Sequence, residues 1–387
     1  MRPFKHRHFH LQLSARLLLS TVALLYFVTV SLAQELTPTL APMPDLLLPV
    51  PTESAVESGS AIESEPVPSE PLLTEPVLPE SEFPQPSTFV TPTSGYWIVS
   101  TWNSPQDFDN GPLQFRPEVK RFDNGVGIRC SVMQELTESL VPGVPLCIVV
   151  HGSFMDSPSV YPESRETWNW LRSGSNGLPF QMIYFSWPSD RPLSALASID
   201  VAVLGKRASR NGFYLTSLLQ QLPSDCPVCL LGHSHGTRVI SSSLHLMGGG
   251  TVEDYRHPHR GCNGKRIRTV FTASAIDHDW LNPGERFDRA LLSTECLLNL
   301  RNRKDPALVI YPMRGPGSRR ALGCTGFTEN DREELGQGSR RVRDWDVSDV
   351  IGMGHLWPNY VKRPSLACSL RNYLYFADDQ HTLTAAH

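Results

Sequence analysis

From Tyr96 onward, short runs of consecutive apolar residues alternate with longer stretches in which apolar residues recur at helical spacing. Residues 146–150, Leu-Cys-Ile-Val-Val, are apolar at every position, which is typical of a strand covered on both faces in a parallel sheet. The pattern predicts eight strands, the first two of which form a hairpin: Tyr96–Thr101, Gly125–Val132, Leu146–Val150, Gln181–Ser186, Val228–Leu231, Ile267–Ala273, Cys296–Leu300 and Arg341–Val350.

The stretches between these runs predict helices at Glu163–Leu171, Leu193–Leu222, Thr237–Met247, Arg286–Glu295 and Ser365–Tyr375. Strands that alternate with helices indicate an α/β fold. We therefore predict a mostly parallel eight-stranded sheet that carries helices on both faces.

The first 33 residues have the pattern of an export signal. Residues 2–16 carry basic side chains and no acidic one, residues 17–33 are apolar, and Ser31-Leu-Ala33 provides small residues for cleavage. Because the apolar run is at the short limit for a membrane span, an uncleaved anchor that tethers the chain to a membrane through residues 17–33 is the alternative. Either way the sequence predicts export, as a periplasmic, secreted or membrane-anchored protein.

Residues 34–95 differ in composition from the rest of the chain. They hold thirteen prolines, ten acidic residues and no lysine or arginine. Such a segment buries too little apolar surface to offset its ordering entropy, so we predict a disordered linker. The catalytic domain then comprises residues 96–387, which are nearly neutral and lack a basic aromatic stripe, so no nucleic-acid partner is expected.

The strongest chemical signal is Gly232-His-Ser234-His-Gly236, placed between an apolar strand and a helix. A G-x-S-x-G motif in that context forms a sharp turn that exposes the serine, so Ser234 is the predicted nucleophile. The backbone N–H of His235, at the positive end of the following helix, is a predicted donor to an oxyanion.

Two further positions follow from the ends of neighbouring strands, because sites in parallel sheets form at the carboxyl ends of strands. The N–H of Ser153, which follows the strand 146–150, is the second predicted oxyanion donor. Trp187, which follows the strand 181–186, is a candidate for the wall of the substrate pocket.

A serine nucleophile needs a base, and the base needs an orienting carboxylate. His355 follows the last predicted strand in a glycine-rich loop and is the candidate base. Asp305, which follows the seventh strand, is the favoured acid, although it also stands where an N-cap for a helix starting at Pro306 belongs. Asp277, after the sixth strand, is the alternative acid.

These motifs resemble the α/β-hydrolase superfamily over about residues 96–379. The segments that carry the resemblance are Val-Val-His151-Gly-Ser, Phe-Ser-Trp187-Pro-Ser, Gly-His-Ser234-His-Gly, Asn-Arg-Lys-Asp305 and Gly-Met-Gly-His355. They are similar to a poorly characterised bacterial branch of serine-hydrolase-like proteins. The resemblance implies an eight-stranded sheet and a triad of Ser234, Asp305 and His355, but no particular substrate.

The sequence thus predicts a serine hydrolase that cleaves carboxylic esters through an acyl-enzyme on Ser234. The expected partner is a small-molecule ester, and the chemistry requires neither a metal nor a cofactor. A non-catalytic, surface-tethered binding module with the same fold and an acyltransferase that uses the same triad are the alternatives.

Overall fold

The computed structural model describes residues 94–106, 113–190, 197–314 and 317–378. The predicted signal peptide or anchor at 1–33 and residues 34–93 of the predicted linker lie outside these ranges. Within them, no helix has both the length and the apolar character that a membrane crossing needs.

The described residues form a mixed α/β fold around one sheet of nine strands. The order of the strands across the sheet is β3-β2-β1-β5-β4-β6-β7-β8-β9, and only β2 runs in the direction opposite to the other eight strands. The strands are β1 (Gly95–Ser100), β2 (Glu118–Asp123), β3 (Gly127–Ser131), β4 (Leu146–Val150), β5 (Gln181–Ser186), β6 (Val228–His233), β7 (Ile267–Thr272), β8 (Cys296–Arg301) and β9 (Val342–Asp346). The sheet is mostly parallel, as predicted, but the prediction of eight strands is wrong.

The additional strand is β2, and it also changes the predicted hairpin. β1 pairs with β2 on one side and with β5 on the other, whereas β3 pairs with β2. Only Val119 and Phe122 of β2 are buried, and the remaining side chains are charged and partly exposed. This short strand at one side of the sheet therefore lacks the continuous apolar run that marks the central strands.

The α-helices of the described residues are α1 (Met133–Ser139), α2 (Val160–Ser175), α3 (Ala197–Gln221), α4 (His235–Met247), α5 (Pro306–Val309), α6 (Leu322–Thr325), α7 (Glu329–Leu335), α8 (Ser348–Ile351), α9 (Pro358–Val361), α10 (Pro364–Ser369) and α11 (Arg371–Leu374). The helix predicted at 286–295 is a single 3₁₀ turn, Ala290–Ser293. The helix predicted at 365–375 is divided between α10 and α11.

Helices cover both faces of the sheet, which explains why its central strands are apolar at every position. Alternate residues of β4 face opposite sides: Ile148 belongs to the hydrophobic core that includes α3 and α4, and Val149 to the core that includes α2 and α10. Each fully buried aliphatic side chain of this kind contributes about 1.5–3 kcal/mol to stability.

The parallel register brings the loops that follow β4, β5, β6 and β8 to one edge of the sheet. Val150 at the end of β4 pairs with Gly232 of β6 and with Phe185 of β5, so the chain leaves these strands at neighbouring points. β8 runs parallel to β7, which is itself parallel to β6, and therefore ends on the same side. This edge carries the predicted site residues.

Candidate active site

Ser234 lies at the turn between β6 and α4 in a backbone conformation that is unusual for a residue with a side chain. Its φ is 51° and its ψ is −122°, and the residue is 7 % exposed. Such a conformation costs about 1–3 kcal/mol and persists only where neighbours fix it. Here the N–H of Ser234 donates to the carbonyl of Thr272 at 3.0 Å, and its own carbonyl accepts from the Thr237 hydroxyl at 2.6 Å.

The two glycines of the motif permit the close approach that this turn requires. A Cβ on Gly236 would lie 2.1 Å from the carbonyl oxygen of Val150, and a Cβ on Gly232 would lie 3.0 Å from the backbone of Thr237. Both contacts are with backbone atoms, which cannot move aside cheaply. The glycines therefore seat α4 against the ends of β4 and β6.

Ser234, His355 and Asp305 form a continuous chain of hydrogen bonds. The Oγ of Ser234 lies 3.2 Å from Nε2 of His355, and Nδ1 of His355 lies 2.7 Å from Oδ2 of Asp305. Because Nδ1–H of His355 donates to Oδ2 of Asp305, Nε2 is the nitrogen left to accept the serine proton. Asp305 is completely buried, whereas the His355 side chain is 14 % exposed.

Asp305 also caps α5, so one carboxylate both contacts His355 and serves as the N-cap of the helix that begins at Pro306. Its Oδ1 accepts the N–H groups of Ala307 at 3.0 Å and Leu308 at 3.2 Å, while Oδ2 contacts His355. Two N–H donors and the imidazole thus fix the carboxylate in one orientation.

The structure does not bring the alternative acid to His355. One oxygen of Asp277 forms an ion pair with Arg314, and the other accepts the backbone N–H of Arg319 at 3.1 Å. The alternative interpretation of Asp277 is therefore wrong, because both of its oxygens are committed elsewhere.

The two predicted oxyanion donors are joined through their side chains. The Oγ of Ser153 lies 2.5 Å from Nδ1 of His235. The amides of Phe154 and Met155 donate to Ser189, but the N–H of Ser153 forms no hydrogen bond within the described residues. The N–H of His235 belongs to the first turn of α4, where backbone donors lack an intrahelical partner.

Trp187 does not line a pocket, because it is fully buried. Its indole N–H donates to the carbonyl of His151 at 2.9 Å, its backbone N–H donates to Nε2 of His151 at 3.1 Å, and the two rings stack 5.7 Å apart. Since Nε2 accepts, Nδ1 carries the proton and donates to the Gly152 carbonyl at 2.8 Å. Burial lowers the pKa of His151 to about 4, so the ring is neutral.

Two residues that the sequence did not single out hold the His355 loop. His233 donates from Nε2 to the carbonyl of His355 at 2.8 Å, and burial together with His355 lowers the pKa of His233 to about 3. The buried Asn302 donates from Nδ2 to the carbonyls of Gly352 and Gly354 at 2.9 and 3.3 Å. His233 stands between glycine and the nucleophile in the motif, which is the one signal that pointed to it.

No protein-family model matches the chain, and no curated protein matches its sequence. Among solved structures, the chain is similar to esterase B from Lactobacillus rhamnosis, in a structure with a tributyrin phosphonate, at 12% identity and a TM-score of 0.35, over 75% of this chain and 89% of that one. It is also similar to carboxyl esterase 2 from the mycorrhizal fungus Tuber melanosporum, at 13% identity and a TM-score of 0.36, over 76% of this chain and 93% of that one. An acetyl xylan esterase is similar at 14% identity and a TM-score of 0.28, over 61% of this chain and all of that one.

Proposed function

We propose that this chain is a serine hydrolase of the α/β-hydrolase type that cleaves carboxylic esters through an acyl-enzyme on Ser234. The observation that carries the proposal is the hydrogen-bonded series from Ser234 through His355 to the buried Asp305, which starts at a strained turn. These residues occur along the chain in the order Ser, Asp, His, as they do in α/β-hydrolases.

The first half of the reaction forms the acyl-enzyme. The Oγ of Ser234 attacks the carbonyl carbon of the ester while His355 takes the serine proton at Nε2. Asp305 stabilises the imidazolium that results. The N–H groups of Ser153 and His235 donate to the oxyanion, and His355 then protonates the alcohol as the carbon–oxygen bond breaks.

The second half returns the serine. Water attacks the acyl carbonyl and His355 accepts a proton from that water. The tetrahedral species then collapses to a carboxylic acid as His355 returns the proton to the Oγ of Ser234. An acyltransferase would use an alcohol in place of water at this step. The intact series of contacts argues against the alternative of a binding module that has lost its chemistry.

The proposal is tested by labelling the full-length protein with a fluorophosphonate. We expect the wild type to take up label at Ser234, Ser234→Ala to take up none, and Ser369→Ala, which changes an exposed serine in α10, to label like the wild type. Well-folded wild type that stays unlabelled and inactive on short-chain esters would refute a serine hydrolase.

Export remains part of the proposal and needs a separate test. We propose that residues 1–33 direct the chain across a membrane, with residues 17–33 as the apolar core of the signal or as a retained anchor. N-terminal sequencing of the protein from a fractionated producing cell distinguishes these cases. A start at Gln34 supports cleavage, Met1 in a membrane fraction supports an anchor, and Met1 in the cytoplasmic fraction contradicts export.

A further inference from the structure

Three arginine side chains surround the indole ring of Trp280. The guanidinium carbons of Arg238, Arg286 and Arg314 lie 4.9, 4.7 and 5.4 Å from the ring centre. Guanidinium groups pack favourably on aromatic faces, but this arrangement also gathers three positive charges. Within the described residues, Asp277 is the one carboxylate that forms an ion pair with any of them. We call the three arginines and Trp280 the arginine cluster.

The cluster holds guanidinium N–H groups that have no acceptor among the described residues. Arg238 is 7 % exposed, yet in the described part of the chain only its Nε has a hydrogen-bond partner, the hydroxyl of Ser209 at 2.8 Å. Nη1 of Arg314 is buried and also lacks a partner there. Leaving a buried charged donor unpaired costs more than leaving a neutral one, so Nη1 of Arg314 suits an acceptor that a ligand supplies.

The arginine cluster adjoins the nucleophile along α4. Arg238 lies four residues, or about one helical turn, after Ser234, and therefore on the same side of the helix. A Cβ on Gly205 would lie 2.5 Å from Nη1 of Arg238 and 3.7 Å from Nε2 of His235, so both side chains meet over this glycine. Burial, followed by Arg238 and His355, lowers the pKa of His235 to about 3, which keeps the ring neutral.

A second connection runs through the loop after β7. The Arg314 guanidinium stacks 3.8 Å from the centre of the Tyr311 ring, and the Tyr311 hydroxyl donates to the carbonyl of Ala275 at 3.0 Å. The N–H of Ala275 in turn donates to the carbonyl of Ser234 at 3.4 Å. The cluster is thus attached to the reactive turn from two directions.

We propose that the arginine cluster is a substrate subsite that binds an oxyanion group, a carboxylate or a phosphate, on the ester that Ser234 attacks. This inference rests on the proposed function. Guanidinium groups present planar pairs of N–H donors that match both groups. In the described part of the chain, three of them share one paired carboxylate, Asp277, which leaves an excess of positive charge. The preferred substrate is therefore an anionic ester.

Arg238 also has a structural role to separate from binding, because its Nε joins α4 to Ser209 of α3. A purely structural arginine would affect neutral and anionic esters alike. Arg286 offers a cleaner variant, because it is exposed and forms no hydrogen bond or ion pair within the described ranges. The exposed Arg340, in the 3₁₀ helix Gly336–Arg341, provides a control with the same change of charge.

The experiment compares kcat/KM of the full-length protein on matched esters. Para-nitrophenyl acetate and para-nitrophenyl hemisuccinate place the charge on the acyl side. Phenyl acetate, para-acetoxybenzoate and para-acetoxyphenyl phosphate place it on the alcohol side and distinguish carboxylate from phosphate. The variants are Arg238→Gln, Arg238→Lys, Arg286→Gln and Arg340→Gln, and fluorophosphonate labelling of Ser234 is measured in parallel.

We expect a preference for an anionic ester in at least one series, carried mainly by KM. Arg238→Gln and Arg286→Gln each lower the anionic-to-neutral ratio of kcat/KM about 10-fold or more, as loss of a charged hydrogen bond implies. Arg238→Lys restores part of the ratio, and Arg340→Gln leaves it unchanged. Wild type that labels at Ser234 but shows no anionic preference overturns the subsite alone, whereas absence of both label and turnover overturns the proposed function as well.

Discussion

Asp305 contacts His355 with one carboxylate oxygen and caps helix α5 with the other. The orientation of the proposed base is therefore tied to the start of a helix that the sheet itself positions, directly after β8. Rotation of the carboxylate would break the cap, so the helix N-terminus restrains the histidine as well.

Replacing Asp305 separates these two roles. We expect Asp305→Asn to lower kcat about 10³–10⁴-fold, because an amide N–H2 facing Nδ1 favours the wrong imidazole tautomer. The remaining amide oxygen can still cap α5. Asp305→Ala loses the cap too, and its free energy of unfolding should lie about 1 kcal/mol below that of Asp305→Asn. Ester kinetics and urea unfolding of both variants measure the two effects, and equal stability would contradict the division of roles.

Trp187 should act on catalysis through the loop that contains Ser153. Trp187→Phe keeps the apolar volume but removes the indole N–H that donates to the carbonyl of His151. Loss of one buried hydrogen bond lowers the free energy of unfolding by about 1–2 kcal/mol. We expect kcat to fall more than KM changes, because the loop carries a proposed oxyanion donor. A change in KM with unaltered kcat would contradict this role of Trp187 in supporting the loop.

Buried neutral histidines make the stability of the fold depend on pH. Burial lowers the pKa of His151 to about 4 and those of His233 and His235 to about 3. Their contribution to stability is fully present above the unfolded-state pKa and is lost as the pH falls toward these values. Between pH 7.5 and pH 5 we expect each to contribute a loss of at most about 2 kcal/mol, measured by urea unfolding.

Glu163 works in the opposite direction. Burial raises the pKa of Glu163 to about 7. Its contribution to the free energy of unfolding is therefore fully present below pH 4.5 and is lost as the pH rises from 4.5 to 7. Glu163→Gln should therefore steepen the loss of stability on acidification. A profile of Glu163→Gln that is flat from pH 7.5 to pH 5 would contradict the neutral histidines.

The tight turn after Ser234 can be tested by adding one methyl group. Gly236→Ala places a Cβ against the carbonyl oxygens of Val150 and His151, both in backbone, and should cost about 3 kcal/mol or more. Gly338→Ala, where a Cβ has no neighbour closer than 4.0 Å, should change stability by less than about 0.5 kcal/mol. Thermal melts compare the two, and similar melting temperatures would refute the close approach.

The sequence predicted the central strands well and the margins of the sheet less well. Continuous apolar runs identify strands such as β4, whereas β2 buries only Val119 and Phe122 and resembles a polar connection. The helix predicted at 286–295 is mostly irregular. A periodic pattern of apolar residues indicates which side chains are buried, but it does not distinguish a helix from an irregular loop that packs on a core.

Chain order led to the three residues that the structure places in contact, because parallel strands deliver their loops to one edge. Chain order does not distinguish a residue that lines a pocket from a buried residue that holds a loop, which is why the structure differs from the prediction for Trp187. Nor could it find Asn302 or the arginine cluster, since these depend on contacts between residues far apart in the chain. The sequence carries no period or motif for such contacts.

The strained backbone of Ser234 lowers the stability of the fold. Glycine adopts φ 51° and ψ −122° without strain, whereas serine is strained there. We therefore expect Ser234→Gly to unfold at a higher temperature than the wild type and to take up no fluorophosphonate. Serine is thus not the residue that fold stability alone would favour at position 234, at the turn that follows β6. Under the proposed function, stability and reactivity compete at this position, and the chain has serine where glycine would be more stable.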